Sequence, residues 1–385
     1  MKGKKILWVS PWFGNYRVPV YDQINKLSDN RFYLICAEDA TSELVRNKLK
    51  TVLRENVSIL QNCKHFFIGN KSTTFANMCI EIKWQPGLYR EIKKINPDVI
   101  IVEGFGSWSP AGVLYSILHR KKLCMFYERT SYVERNAKWI SIIYRKIIGK
   151  FVDCFLVNGK LTEEYLQKGL GFSKTAIRKG CMAADSKGLY DAVSSVTKEQ
   201  IINYKEKMHL KEGLTYLFVG QLVKRKGVVE LLNAWNTHIS TYPYDNLIIV
   251  GKGILQDELQ EKNKNISSVH ILGGIDYSLI HLYYALADVF FMPTLEDNWC
   301  LVLPEAMACG LPVACSIYNG GTCELIKNGE NGFSFDPLNQ ESIIQTLSVF
   351  HKCDLKKMGE ESIHIESLFS PEISANNIYT ACNEN

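Results

Sequence analysis

The chain has 385 residues, 46% hydrophobic and 22% charged, with a formal net charge of +5. That length allows two domains on a prior of roughly 100–200 residues each, the composition is that of a globular protein, and no apolar run approaches the roughly 18–20 residues of a membrane span. Charge divides unevenly: residues 1–190 hold 31 Lys and Arg against 16 Asp and Glu, and residues 191–385 hold 14 against 24.

Lys5 to Ser10 reads as a first strand running into the loop PWFGNYRVP, and Val18 to Leu27 has helical spacing. Residues 32 to 36 and 65 to 68 read as further strands. Between them Glu43 to Leu53 is a basic segment that forms an amphipathic helix with Leu44, Leu49 and Leu53 to one side. Its outer face is either solvated or laid on an anionic bilayer. Pro86 to Lys94 is a helix. Val99 to Val102 is a strand ending at Glu103-Gly104, and Leu123 to Tyr127 a strand ending at Glu128-Arg129-Thr130. Trp139 to Val152 mixes apolar positions with Arg145, Lys146 and Lys150, and reads as an amphipathic helix packed on its own sheet, with a membrane-surface helix as the alternative. Asp153 to Val157 is a strand, a helix runs through Lys168, and the stretch ending at Asp185 closes the first domain. The expected domains are 1–190 and 191–367, with a linker near 186–212 and a tail helix within 368–385.

The second domain opens with a strand, Leu214 to Val219, the loop Gly220 to Gly227, and a helix from Val228. Asn246 to Gly251 and Val269 to Leu272 are strands with glycine turns at their exits. Strands and helices alternating every about 25–35 residues in two blocks predict an α/β protein of two doubly wound Rossmann-like domains with a cleft. The 12 cysteines form no Cys-x-x-Cys pair and show no His at ligand spacing, so they read as buried small hydrophobes in a reducing compartment, with no metal site expected. The apolar core of the opening MKGKKILWVSPWF is too short for a signal peptide, and the expected location is cytoplasmic.

The most informative stretch is 288–333. A strand over Val289 to Met292 precedes a polar break, then a short helix entered at Pro304 and stopped by Gly310. The run Leu311 to Cys315 leads to the Gly320-Gly321 turn and another short helix. Helix starts beyond strand ends favour an anion such as a phosphate. Asp297 and Glu305 lie eight residues apart, one on the loop and one on the helix, and both can face the same crevice.

This stretch resembles the signature of family 4 glycosyltransferases, retaining enzymes of the GT-B fold. Their pattern is Glu-x7-Glu followed by an Ala-Met-Ala-x-Gly-x-Pro-Val-like run, here Glu305 to Val313. The first acid departs from it: the register gives Asp297, with Glu296 one residue too far. The loop Gly220-Gln221-Leu222 followed by Lys226-Gly227 is similar to the family's Gly-Arg-Leu and Lys-Gly, whose two cations neutralise the donor diphosphate. Gln221 stands where that arginine would be, and Arg225 is the candidate substitute.

The resemblance implies a GT-B fold, its two domains facing across a cleft and the tail helix within 368–385 packing back on the first, and a retaining glycosyltransferase working without metal or other cofactor. Its co-substrate would be a nucleoside diphosphate sugar, UDP ahead of GDP. Glu305 is expected on the ribose hydroxyls, Asp297 on the sugar, and Lys226 with Arg225 on the diphosphate. Gly14, Gln221, Asn298 and the amides of Cys300, Leu301 and Val302 complete the donor site. Glu128 is expected near the transferred sugar, with Arg17, Glu103 and Arg129 on the acceptor. The basic first half suggests a saccharide acceptor linked to a lipid diphosphate, as in polysaccharide or lipopolysaccharide assembly, with the protein peripheral on an anionic membrane surface. No nucleic-acid motif accompanies the charge, so nucleic acid is not an expected partner. The alternatives are a non-catalytic nucleotide-sugar-binding subunit, or an epimerase of the same fold, which the lack of His in the motif loops disfavours.

Overall fold

The computed structural model describes residues 3–69 and 75–384. The chain divides into two units, Met1–Ala184 with Phe369–Asn385, and Asp185–Leu368.

In the first unit the strands are β1 (Ile6–Val9), β2 (Phe32–Ala37), β3 (Val57–Leu60), β4 (Lys64–Gly69), β5 (Cys79–Trp84), β6 (Val99–Glu103), β7 (Lys122–Tyr127), β8 (Cys154–Val157) and β9 (Ala176–Arg178). Seven of them form a parallel sheet in the order β3-β2-β1-β6-β7-β8-β9. Parallel strands must be covered on both faces, which is why ILWV of β1 and the first four residues of β6, VIIV, are apolar at every position and fully buried. The helix Pro371–Asn383 is entered through Ser370, whose hydroxyl accepts from the Ile373 amide, and packs on the helix Val18–Leu27 of this unit. β4 is not part of the main sheet. It pairs antiparallel with β5 in a two-stranded hairpin, and neither β3 nor β5 was anticipated: VSIL is too short to show a period, whereas Ile80 to Trp84 of β5 does alternate apolar and polar, a strand signal that was passed over.

In the second unit the strands are β10 (Thr215–Val219), β11 (Asn246–Val250), β12 (Val269–Gly273), β13 (Val289–Met292), β14 (Val313–Ser316) and β15 (Gly332–Phe335). They form a parallel sheet in the order β12-β11-β10-β13-β14-β15. The segment expected as a linker is instead two helices of this unit. Thr197 and Gln200 form a capping box that starts Lys198–Lys207, and both this helix and Lys187–Ser194 pack on the helix Ile280–Leu286. Polar composition hid them, because only one narrow face of each is covered.

Each sheet has one place where strand order reverses, between β1 and β6 in the first and between β10 and β13 in the second. There the connections leave to opposite sides and open a crevice beyond the carboxyl ends of the strands. The loops after these four strands carry most of the expected site residues.

Candidate active site

In the second unit, the loop after β10 and the loop after β13 are pressed together at a glycine. Gly227 has a left-handed backbone, φ +69°, and a Cβ there would lie 1.9 Å from the Pro293 carbonyl oxygen. Only glycine accepts both conditions. The Arg225 carbonyl then accepts from the Leu295 amide at 2.8 Å and from the Thr294 hydroxyl at 3.0 Å, so the two loops are stitched along their length. Lys226 and Asp297 are thereby brought into a direct ion pair, both largely buried, and Arg225 lies 3.7 Å from the same carboxylate oxygen. Burial is the largest influence and works against the Lys226 charge, but the attraction and hydrogen bond of Asp297 together with Cys300 outweigh it and hold the ammonium above the ordinary lysine range. Of the two adjacent acids, Asp297 is the one that meets the lysine. Two cations beside one carboxylate leave this corner with an excess of one positive charge.

Asn298 follows at once, and its buried Oδ1 has no hydrogen-bond partner among the described residues. An unsatisfied buried acceptor is costly, and a ligand hydroxyl is the natural donor for it. The Cys300 amide, expected to face a phosphate, donates instead to Asn319 Oδ1 at 3.0 Å. Leu301 and Val302 lead into the helix Val302–Ala308, whose first amides have no partner within the helix.

Glu305 closes a pocket of about 400 Å³ whose walls include Gly220, Gln221, Gly251, Lys252 and Tyr277. Gly251 is where the exits of β10 and β11 meet, with φ +146° and a Cβ position only 1.7 Å from the Gly220 carbonyl oxygen. The Tyr277 and Tyr284 hydroxyls donate to the two oxygens of Glu305, each at 3.3 Å. Burial pushes the Glu305 carboxyl up to about 7, although both tyrosines pull the other way. Tyr277, Tyr284, Lys252 and Asn319 were not singled out by the sequence. Lys252, between two glycines at a strand exit, carried a usable signal; the tyrosines and Asn319 did not, because their role depends on tertiary placement.

In the first unit, Arg17 stands at the reversal point, stacked 4.2 Å from the Phe126 ring centroid and buried. It donates to Glu103 at 2.8 Å and pairs with Glu128. Glu103 is fixed further by the Trp8 indole N–H at 2.9 Å. Burial opposes the guanidinium charge, but Glu103, then Tyr16 and Glu128, outweigh it. Arg17 is therefore a clamp that aims two carboxylates, and these three side chains by themselves sum to one negative charge. Gly14 has ordinary extended backbone, and the space a Cβ would need is taken by the Tyr16 ring, 2.4 Å away. Arg129 turns from this cluster to Glu134 at 3.0 Å and Asn77 at 3.2 Å.

Two groups among the described residues have metal-ligating atoms within 4.8 Å of one another: Asp39, Cys63 and His65, and His238, Asp245 and His351. Neither includes a residue of the two clusters above. The first corrects the expectation that no His stands at ligand spacing from a Cys, since Cys63 and His65 are two residues apart in the chain.

Residues 200–363 match the family model described as Glycosyl transferases group 1. An uncharacterized glycosyltransferase of Haemophilus influenzae is 30% identical over 162 residues, 41% of this chain and 45% of that protein. The alpha-monoglucosyldiacylglycerol synthase of Acholeplasma laidlawii is 28% identical over 154 residues, 39% of this chain and 38% of that one. The matched stretch thus spans less than half the length of either relative. HepE of Anabaena, solved in complex with UDP, has a TM-score of 0.75 over 97% of this chain and 98% of its own, at 17% identity.

Proposed function

We propose that the chain is a retaining glycosyltransferase using a nucleoside diphosphate sugar, on the premise that residues 200–363 match the glycosyl transferases group 1 model and that the chain has the GT-B fold. The observation that carries the proposal is the Lys226–Asp297 pair at the reversal point of the second sheet, beside a pocket that ends at Glu305. A departing nucleoside diphosphate gains negative charge as the sugar C1–O bond breaks, and a fixed ammonium in a screened site stabilises it. Lys226, with Arg225, takes the diphosphate. Glu305 takes the ribose hydroxyls, and Asp297 with Asn298 the sugar.

In this reading the acceptor oxygen attacks C1 on the face the phosphate leaves, and its proton passes to the departing phosphate. The α configuration is kept without an enzymic nucleophile or a metal. Glu128 and Glu103, aimed by Arg17, orient the acceptor hydroxyl by accepting its hydrogen bonds. UDP is the favoured nucleotide. The acceptor is a lipid-linked saccharide, in keeping with the basic first unit and with a relative whose name specifies a glucosylated diacylglycerol. Incubation with candidate UDP-sugars and lipid-linked saccharides, with product read by mass and anomeric coupling by NMR, tests this. An α-linked product is expected; a β-linked product refutes retention, and nucleotide binding without transfer to any acceptor supports the non-catalytic subunit.

A further inference from the structure

The helix Trp139–Gly149 has its amphipathicity reversed. Its inward side carries Arg145, ion-paired with the buried Glu134, and Gly149, whose Cβ position would fall 2.1 Å from the Phe172 ring. Ile142 and Ile148 rest on the core. Its outward side carries Trp139 at 69% exposure, Ile140 at 61%, Ile143 at 48% and Ile147 at 53%, a single stripe by helical spacing, with exposed Phe151 just beyond. The helix expected to pack its apolar side on the sheet turns that side outward. Glu43–Leu53, the other amphipathic candidate, does the opposite, burying Val45, Leu49 and Leu53.

A second apolar face borders the same loop. In the β4–β5 hairpin, Phe66 pairs with Ile82 and Lys64 with Trp84, which sets Phe66, Ile68, Ile82 and Trp84 on one exposed face. Asn77, just before β5, bonds Glu134 and Arg145. Ser107 bonds both main-chain groups of Lys83, and Gly106 accepts from Tyr144. Hairpin and helix therefore flank the loop that follows Glu103.

Charge says what covers this surface. From Arg135 to Val152 the chain has five Lys or Arg and no Asp or Glu, and Glu134, just before the run, is buried. Lys138, Lys146 and Lys150 are exposed beside the stripe. The first unit as a whole has 30 Lys and Arg against 17 Asp and Glu, yet its candidate site uses Arg17 between two carboxylates. The basic excess lies outside that site. An apolar stripe flanked by lysines matches an anionic lipid surface. We propose that this face docks the protein on an anionic bilayer, with Trp139, Ile140, Ile143 and Ile147 at the headgroup–acyl boundary. The inference rests on the lipid-linked acceptor reading and gives it a location, since docking there brings the Glu103 loop to the lipid.

The test is flotation with vesicles of mixed phosphatidylcholine and phosphatidylglycerol, against pure phosphatidylcholine, for wild type and the Ile143→Glu/Ile147→Glu variant, with UDP affinity and thermal melting measured in parallel. Wild type is expected to float with the anionic vesicles, less so at high salt, and the variant to lose at least about tenfold in partitioning while keeping its UDP affinity and its melt. Trp139 offers a second readout: its emission shifts to the blue on adding anionic vesicles, and Trp139→Phe removes that shift. A wild type that binds UDP but not these vesicles overturns the docking surface and leaves the transferase reading standing. Self-association that the double variant abolishes, without vesicle binding, assigns the face to a second copy and also overturns it.

Discussion

The two reversal points are built alike and charged oppositely. In the first unit one buried arginine stands between two glutamates; in the second, a lysine and an arginine stand beside one aspartate. Each cluster has the sign opposite to the excess of its own unit, since the first unit is basic and the second acidic. Net charge by region therefore describes the surface, while the site is set by which few side chains are brought to the sheet edge. In the proposed reading the negative corner takes the acceptor hydroxyl and the positive one the diphosphate.

The contrast can be broken most severely at Arg17. Arg17→Met leaves Glu103 and Glu128 together without their cation, and denaturant unfolding should show a loss of about 3 kcal/mol, the low end for a broken buried pair because both carboxylates are partly exposed. Stability of this variant should recover as pH falls, because protonation relieves the repulsion; an unchanged midpoint would mean the clamp is not structural. Lys226→Met removes the proposed diphosphate cation and should lower kcat/KM by about 10²–10³ in steady-state assays; it also leaves the largely buried Asp297 with Arg225 alone at 3.7 Å, so the melting temperature should fall too. Next comes pH. Free Glu305 holds its proton up to about 7, and the ionised form is the better acceptor for ribose hydroxyls, so nucleotide affinity should rise between pH 6 and 8 by up to about tenfold. Glu305→Gln should flatten that rise in calorimetric titrations. Smallest is Gln221→Arg, which adds a third cation at the positive corner and should tighten nucleoside diphosphate binding by about 0.5–1 kcal/mol.

Much of the second cluster was legible because its parts are local: Lys226-Gly227 and the Asp297 to Glu305 spacing lie on short loops next to strands marked by apolar runs. The register already favoured Asp297 over Glu296; that Asp297 pairs with Lys226 was not legible, because it depends on how Gly227 seats against Pro293. The first cluster joins residues 17, 103 and 128, and although each was singled out, their mutual pairing needed the sheet order that brings β1, β6 and β7 side by side. The direction of the helix Trp139–Gly149 was missed for a related reason: periodicity shows that a helix has an apolar stripe, not which way it points.

The most direct measurement is calorimetric titration of UDP into wild type, Lys226→Met, Glu305→Ala and Glu128→Gln. The account predicts binding to wild type, a loss of at least about tenfold in each of the two second-unit variants, and an affinity within about twofold of wild type for Glu128→Gln. No binding to wild type, or a loss in Glu128→Gln as large as in Lys226→Met, would contradict the assignment of the nucleotide to the positive corner.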